Sequence, residues 1–126
     1  MIADGRSEDK TVNNSVTVTD LLNDPARFDN RSVAVLGWFV FRREHCAIHT
    51  SPLDSKSSAN AIWLVHPETI GGTRAVAALN RNWIRAVGIF NNRRQSGCGH
   101  FNAFPAQLTG LSELQRIEPT SDGDNC

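Results

Sequence analysis

The stretch RSVAVLGWFVFRR, residues 31–43, predicts a long β-strand because it is rich in Val, Phe and Trp. Both of its alternating faces are apolar, so the strand is either covered on both sides or presents an aromatic face to a ligand. Gly37 lies in its middle, where glycine is typical of a bulge or a sharp bend. We therefore expect this strand to belong to a strongly curved sheet.

Four further strands and one short helix follow along the chain. A second glycine, Gly88, interrupts the strand before the last one in the same way. Thr73 is a candidate N-cap for the helix, and Thr19 is a candidate N-cap for a helical turn ahead of the first strand. The predicted strands cover residues 44–50, 61–66, 83–92 and 106–117, and the helix covers residues 73–79.

The order of these elements, three strands, a helix and two strands, predicts an all-β fold with one short helix. Together with the glycine bends it favours a five-stranded barrel of the oligonucleotide/oligosaccharide-binding kind, an OB-like barrel. In such a barrel the helix between the third and fourth strands plugs one end. A small β-sandwich and an α+β open sheet are the alternatives, because many small β-domains share this pattern.

Length and composition indicate one domain. The 126 residues suit a single core, which we place at residues 15–118, between flexible tails at residues 1–14 and 119–126. No apolar run approaches the ~20 residues of a membrane span, and the first residues lack the apolar segment of a secretory signal. Three cysteines are an odd number, so free thiols are expected rather than a disulfide framework. These features predict a cytoplasmic protein that does not bind membranes.

Charge is balanced overall but unevenly distributed along the chain. There are 13 basic and 13 acidic side chains in total. Between residues 31 and 94, nine side chains are basic and three are acidic, whereas both tails are acidic. A basic middle suits an anionic partner, although arginines on solvated strand faces explain the same pattern.

The chain also carries a strand that ends in a Gly-aromatic step, an acidic residue before a short strand, and a late Gly-His-x-x-x-aromatic segment. The residues of this pattern are Gly37, Glu44, Gly88, Phe90, Gly99, His100 and Phe104. In these features it resembles a loose group of uncharacterised small bacterial proteins. The resemblance covers roughly residues 20–117. It implies an OB-like barrel and no settled activity.

Metal-ligand side chains occur in two places, the segment HCAIH at residues 45–49 and the segment CGH at residues 98–100. A candidate Cys2His2 zinc set exists if the two segments meet, with the members Cys46, His49, Cys98 and His100. The spacing argues against this site, because Cys46 and His49 fall on opposite faces of a strand and no Cys-x-x-Cys pair is present. We therefore predict no metal and no cofactor, with a half-buried Cys46 and exposed histidines.

Cys98 and His100 also suggest a thiol–imidazole pair, with Glu44 as a carboxylate close to them. No orienting partner or oxyanion hole is recognisable, so the sequence favours a non-enzymatic protein. Glycines on both sides of Cys98 let the backbone turn. We expect His100 to bind backbone groups and to fasten the connection into the last strand, with Phe101 and Phe104 closing the barrel end.

The function that these observations favour is a non-enzymatic binding module. A protein partner is preferred, as for an adaptor, an inhibitor or an immunity-type protein, because Trp, Phe and Arg anchor interfaces. Single-stranded nucleic acid is the alternative, with aromatic platforms and arginines along a groove. A small hydrolase or a zinc-binding protein ranks behind both. The candidate binding residues are Trp38, Arg42, Arg43, Glu44, Arg85, Arg93, Arg94 and His100.

Overall fold

The computed structural model describes residues 15–42, 45–99 and 102–118. The tails predicted at residues 1–14 and 119–126 lie outside the described residues, and so do Arg43, Glu44, His100 and Phe101. The strands are β1 (Val16–Thr17), β2 (Arg31–Arg42), β3 (His45–His49), β4 (Ala61–Leu64), β5 (Asn82–Asn92) and β6 (Ala106–Arg116). The helices are α1 (Val18–Asn23), α2 (Pro25–Phe28) and α3 (Thr73–Ala78), with 3-10 turns at Pro52–Asp54 and Pro67–Thr69.

Five of the strands close into a barrel. β2 pairs antiparallel with β3 along one edge and with β5 along the other. β3 pairs antiparallel with β4, β4 pairs parallel with β6, and β6 returns antiparallel to β5. The ring β2–β3–β4–β6–β5 is the predicted OB-like barrel, with α3 between its third and fourth strands, so the fold prediction is confirmed. β1 adds a short strand parallel to β2.

The barrel interior is filled by alternate residues of each strand, as expected for strands with one face inward. On β2 these residues are Val33, Val35 and Phe39, all buried. Leu21 of α1 and Val76 of α3 reach the same core, so both helices are anchored to the barrel by apolar contacts. Other members of this core are Cys46, Ile48, Ile62, Leu64, Ile84, Ala86, Phe90, Ala106 and Leu108.

Gly37 and Gly88 lie where neighbouring strands approach each other closely. A Cβ atom at Gly37 would lie 2.7 Å from the carbonyl oxygen of His49, and one at Gly88 would lie 2.9 Å from that of Thr109. Gly88 also lies at a shift in the register of β5 against β6, as predicted for a bulge. Any side chain at these two positions would push adjacent strands apart.

The N-cap residues of two helices differ from those predicted. Thr17, and not Thr19, caps α1, because it forms a capping box with Asp20: the Thr17 hydroxyl accepts from the Asp20 amide at 3.1 Å, and the Asp20 carboxylate accepts from the Thr17 amide at 3.0 Å. α3 begins with Thr73 itself, and Gly72 at φ +93° occupies the N-cap position. Both predicted caps are therefore wrong. None of the described helices is long and apolar enough to cross a membrane.

Candidate functional site

The described parts of the connection between β5 and β6, residues 93–99 and 102–105, fold back over the outer face of β3 and β4, and we call them the cover loop. Cys98 and Phe104 pair across it as an antiparallel bridge, with both N···O distances 3.0 Å. Phe104 is 2% exposed, and its ring centroid lies 5.1 Å from that of Trp63. The outer cluster formed here consists of Ala47, Ala61, Cys98 and Phe104, with Trp63 packed against it.

Gly97 and Gly99 allow the cover loop to fold this tightly. Their φ angles are +77° and +75°, a region that residues with side chains rarely adopt. A Cβ atom at Gly99 would lie 2.7 Å from atoms of both Trp63 and Phe104. The predicted role of these glycines in turning the backbone is thus confirmed.

The predicted fastening of this connection by His100 concerns a residue that lies outside the described residues. Within the loop, the Cys98 thiol donates to the Phe104 carbonyl at 3.4 Å. Phe104 packs on the outside of the sheet instead of closing the barrel end. OB domains bind oligonucleotides on the face of their second and third strands, which correspond to β3 and β4 here. The chain's own cover loop therefore occupies that face.

Two histidines of β3 form a hydrogen-bonded pair beside the cover loop. The Nε2 atoms of His45 and His49 are 2.8 Å apart, and the rings are 7° from parallel with centroids 5.0 Å apart. The nitrogens thus face each other nearly in line, which suits one shared proton and not two lone pairs converging on a metal ion. His49 Nδ1 lies 3.0 Å from the Asp54 carbonyl, which can only accept. In the neutral pair, His49 therefore donates to Asp54 and accepts from His45.

Burial disfavours the charged form of both histidines. His49 has no exposed surface, so the expectation of exposed histidines is wrong for this residue. Burial lowers the pKa of His49, against the opposing effect of the Asp54 carbonyl. Burial also lowers the pKa of His45 to about 4, with further lowering by His49 and Arg42. His45 packs edge-on against Phe104 with centroids 5.5 Å apart, so the pair belongs to the packing under the cover loop.

The cysteines of the zinc and thiol hypotheses lie on opposite sides of the sheet. Cys46 faces the barrel core, whereas Cys98 belongs to the outer cluster. Burial raises the pKa of Cys46 to about 12, assisted by Glu68, and raises the pKa of Cys98 to about 11 against the effect of Arg93. Both thiols are therefore protonated at neutral pH and are poor nucleophiles. Within the described residues, no three ligand-type side chains are placed to hold a metal ion.

Trp38 and Arg42 line a pocket on the outer face of β2. Its volume is about 310 Å³, and it is completed by the turn at residues 52–56 and by the turn between α3 and β5. Trp38 makes an edge-to-face contact with Trp83, with centroids 5.7 Å apart. The lining residues are Trp38, Val40, Arg42, Pro52, Ser55, Lys56, Asn80 and Arg81. We call these eight residues and Leu53 together the Trp38 face.

The charge of the Trp38 pocket is positive. Its three cations, Arg42, Lys56 and Arg81, are all exposed. Among the described residues, no carboxylate lines the pocket. Asp54 lies in the adjoining turn, but its carboxylate accepts a hydrogen bond from the Thr50 hydroxyl at 3.2 Å. The pocket therefore offers three cationic side chains beside an indole ring.

Leu53, Lys56 and Arg81 are members of this surface that the sequence did not reveal. Leu53 lies in the 3-10 turn Pro52–Asp54 and is 98% exposed. Arg81 has φ +62°, and its amide donates to the Phe39 carbonyl at 2.7 Å, which fixes the turn before β5 against β2. The first turn reaches Trp38 because β3, which precedes it, pairs with β2, and the second because β5, which follows it, pairs with β2. No pattern within either turn marks it as part of this surface.

Of the other predicted binding residues, the described ones, Arg85, Arg93 and Arg94, do not line this pocket. Arg85 forms an ion pair with Glu113 at 2.6 Å and a hydrogen bond to the Ser15 hydroxyl at 3.3 Å. Arg94 donates to the Leu22 carbonyl at 2.7 Å. Arg93 and Arg94 line a separate depression on the cover loop. The candidates Arg43, Glu44 and His100 lie outside the described residues.

Comparison with known proteins gives no assignment to set beside this geometry. No protein-family model matches the chain, and no curated protein is significantly similar to it.

Proposed function

We propose that this protein is a non-enzymatic binding module whose ligand is another protein, bound at the Trp38 face. The observation that carries the proposal is Leu53, which is 98% exposed in a turn whose neighbouring residues line the Trp38 pocket. Trp and Arg are enriched in protein interfaces, and a fully exposed leucine adds apolar area that a partner can bury. An adaptor, an inhibitor or an immunity-type protein needs such a surface and no reactive group.

The described candidates for chemistry support a role without catalysis. The thiols of Cys46 and Cys98 are buried, and burial raises the pKa of each well above neutrality. The imidazoles of His45 and His49 hydrogen-bond to each other under the cover loop. Free thiols suit a reducing compartment, so the proposal includes a cytoplasmic location.

Single-stranded nucleic acid is the second candidate ligand, because three cations beside Trp38 also suit phosphates and a stacked base. Two observations favour a protein over it. The cover loop occupies the face of β3 and β4 on which OB domains bind oligonucleotides. In addition, an exposed Leu53 has no role in binding phosphates.

Site-specific photo-crosslinking tests the proposal. A benzophenone side chain is introduced at Ser55 in the Trp38 pocket of the full chain, in cells of its own source, and at Gln115 on β6 as a matched exposed control. We expect a protein product from position 55 and none from position 115. The captured protein is then purified, and its Kd is measured for the wild type, for Leu53→Asp and for Gln115→Asp.

The expected result is a Kd at least about tenfold higher for Leu53→Asp, because loss of buried apolar area and burial of a charge each exceed about 1.4 kcal/mol. Gln115→Asp should leave the Kd unchanged. The proposal is wrong if position 55 captures nucleic acid or nothing, or if Leu53→Asp leaves the Kd of the captured protein at its wild-type value.

A further inference from the structure

We infer that the Trp38 face recognises an acidic segment of its protein partner, with carboxylate side chains seated among Arg42, Lys56 and Arg81. This inference rests on the proposed function and names the chemistry of the partner. The occupant is a run of Asp or Glu residues with an apolar residue beside it, the latter placed against Leu53.

The first reason is the concentration of like charge. Arg42, Lys56 and Arg81 line one pocket of about 310 Å³, so their positive potentials add within it. Like charges that the fold brings together repel one another, and an anion in the pocket relieves that repulsion. The described lining residues include no carboxylate that does so within the chain.

The second reason is the contrast with arginines elsewhere on the barrel. Arg85 lies 2.6 Å from Glu113, and Arg116 lies 3.2 Å from Glu118. These cations have carboxylate partners from the chain itself. The Trp38 pocket instead gathers three cations without a carboxylate among its described lining residues, so the partner is expected to supply that group.

The third reason concerns the kind of anion. The pocket is small and is bordered by Val40 and Pro52, and the exposed Leu53 adjoins it. A peptide presents carboxylates and an apolar side chain within a few residues of each other, which matches this arrangement. A long nucleic-acid strand needs an extended basic track, and the cover loop fills the adjoining face of β3 and β4.

A second basic groove provides a matched control. It has a volume of about 500 Å³ and contains two cations, Arg27 and Arg31. The Arg27 guanidinium lies over the Phe28 ring, 5.4 Å from its centroid. Reversing both charges of this groove changes the net charge of the protein by the same amount as reversing Lys56 and Arg81. Loss of binding only after reversal of Lys56 and Arg81 would therefore show that the pocket, and not the overall charge of the protein, binds the acidic segment.

The experiment is a titration of the 15N-labelled full chain with a capped hexaglutamate peptide, followed by NMR. Capped hexaglutamine and hexalysine peptides and a hexathymidylate oligonucleotide serve as comparison ligands. The proteins are the wild type, Lys56→Glu/Arg81→Glu and Arg27→Glu/Arg31→Glu. Each protein is titrated at 50 mM and at 500 mM NaCl, because exposed charge pairs weaken as the Debye length shortens.

We expect hexaglutamate to shift the Trp38 indole and the amides of Arg42 and Lys56, with an affinity several-fold weaker at high salt. Lys56→Glu/Arg81→Glu should weaken it at least about tenfold, and Arg27→Glu/Arg31→Glu by less than about twofold. Hexaglutamine and hexalysine should leave these signals unchanged.

Equal shifts with hexaglutamate and hexaglutamine, or tighter pocket binding of hexathymidylate than of hexaglutamate, would overturn the inference. An unaffected pocket together with a persistent Ser55 crosslink to a protein would remove only the acidic preference. Loss of that crosslink would remove the proposed function itself.

Discussion

Replacement of Phe104 by Ala tests whether the cover loop is packed on the sheet as tightly as its contacts imply. Phe104 is 2% exposed and contacts two rings, Trp63 at 5.1 Å and His45 at 5.5 Å between centroids. Buried Phe→Ala substitutions lower the free energy of unfolding by about 3–5 kcal/mol. The outer cluster is small and one side of it is a loop that can relax, so we expect a loss near the lower end, about 3 kcal/mol.

The assay is urea denaturation followed by far-ultraviolet circular dichroism. Because m-values of small domains are about 1–3 kcal/mol/M, this loss moves the midpoint by about 1–3 M at constant m. Leu53→Ala is the matched control, since its side chain is 98% exposed and should change the free energy of unfolding by less than about 0.5 kcal/mol. A Phe104→Ala loss below about 1 kcal/mol, close to the control, would refute tight packing of the cover loop.

Three further predictions follow from the same contacts. Because burial lowers the pKa of His45 to about 4, the unfolded chain binds a proton between about pH 6.5 and pH 4 that the folded chain does not. As the pH is lowered through that window, the free energy of unfolding should therefore fall by about 1–2 kcal/mol, after solvent screening of the partly exposed ring is taken into account. A midpoint in urea that does not change with pH would contradict this. Gly99→Ala should lower the free energy of unfolding by about 2–4 kcal/mol, because Gly99 has a positive φ and a Cβ atom there would meet the outer cluster. Gly72→Ala is the control, since Gly72 has φ +93° but open space around it, and it should lower the free energy of unfolding by only about 1 kcal/mol. Equal losses in urea denaturation would argue against the contact at Gly99. In a Cys126→Ser background, Cys46 and Cys98 should react slowly with a thiol reagent at pH 8 and rapidly in denaturant, because burial raises the pKa of each to about 12 and about 11; rapid labelling of the folded protein would disprove their burial.

The strands and their order were predictable because their signals are local. The alternation in β2 and β5, with a glycine in each, follows from side chains that lie next to one another in the sequence. Glycine is required at positions 37 and 88 because the backbone oxygens of His49 and Thr109 lie too close for a side chain. A glycine inside a strand sequence therefore did indicate a real geometric constraint.

The burial of β3 was not predictable in the same way. Alternation places His45, Ala47 and His49 on the outer face of the barrel, where solvent is the simplest expectation. A loop much later in the chain covers that face, and nothing within β3 signals it. The glycines around Cys98 indicated a tight turn but not the sheet on which it packs.

The Trp38 face could be predicted from the sequence only in part. Trp38 and Arg42 stood out because they lie on the strongest strand, whereas Lys56 and Arg81 lie in turns without a distinctive pattern. Arg85 also stood out as a cation, but the fold gives it Glu113 as a partner. Whether a cationic side chain stabilises the fold or binds a partner depends on which carboxylates the folded barrel places beside it. A local stretch of sequence does not contain that information.

Hydrogen–deuterium exchange of the full chain, alone and with the protein captured at Ser55, tests the assigned binding surface most directly. The account predicts slower exchange on binding at residues 38–42, 50–56 and 79–81, which carry the Trp38 face. It predicts no change at residues 61–64 and 102–105, where the cover loop already occupies the sheet. Protection of the latter segments with unchanged exchange around Trp38 would contradict it, because the partner would then have displaced the cover loop and bound the face of β3 and β4.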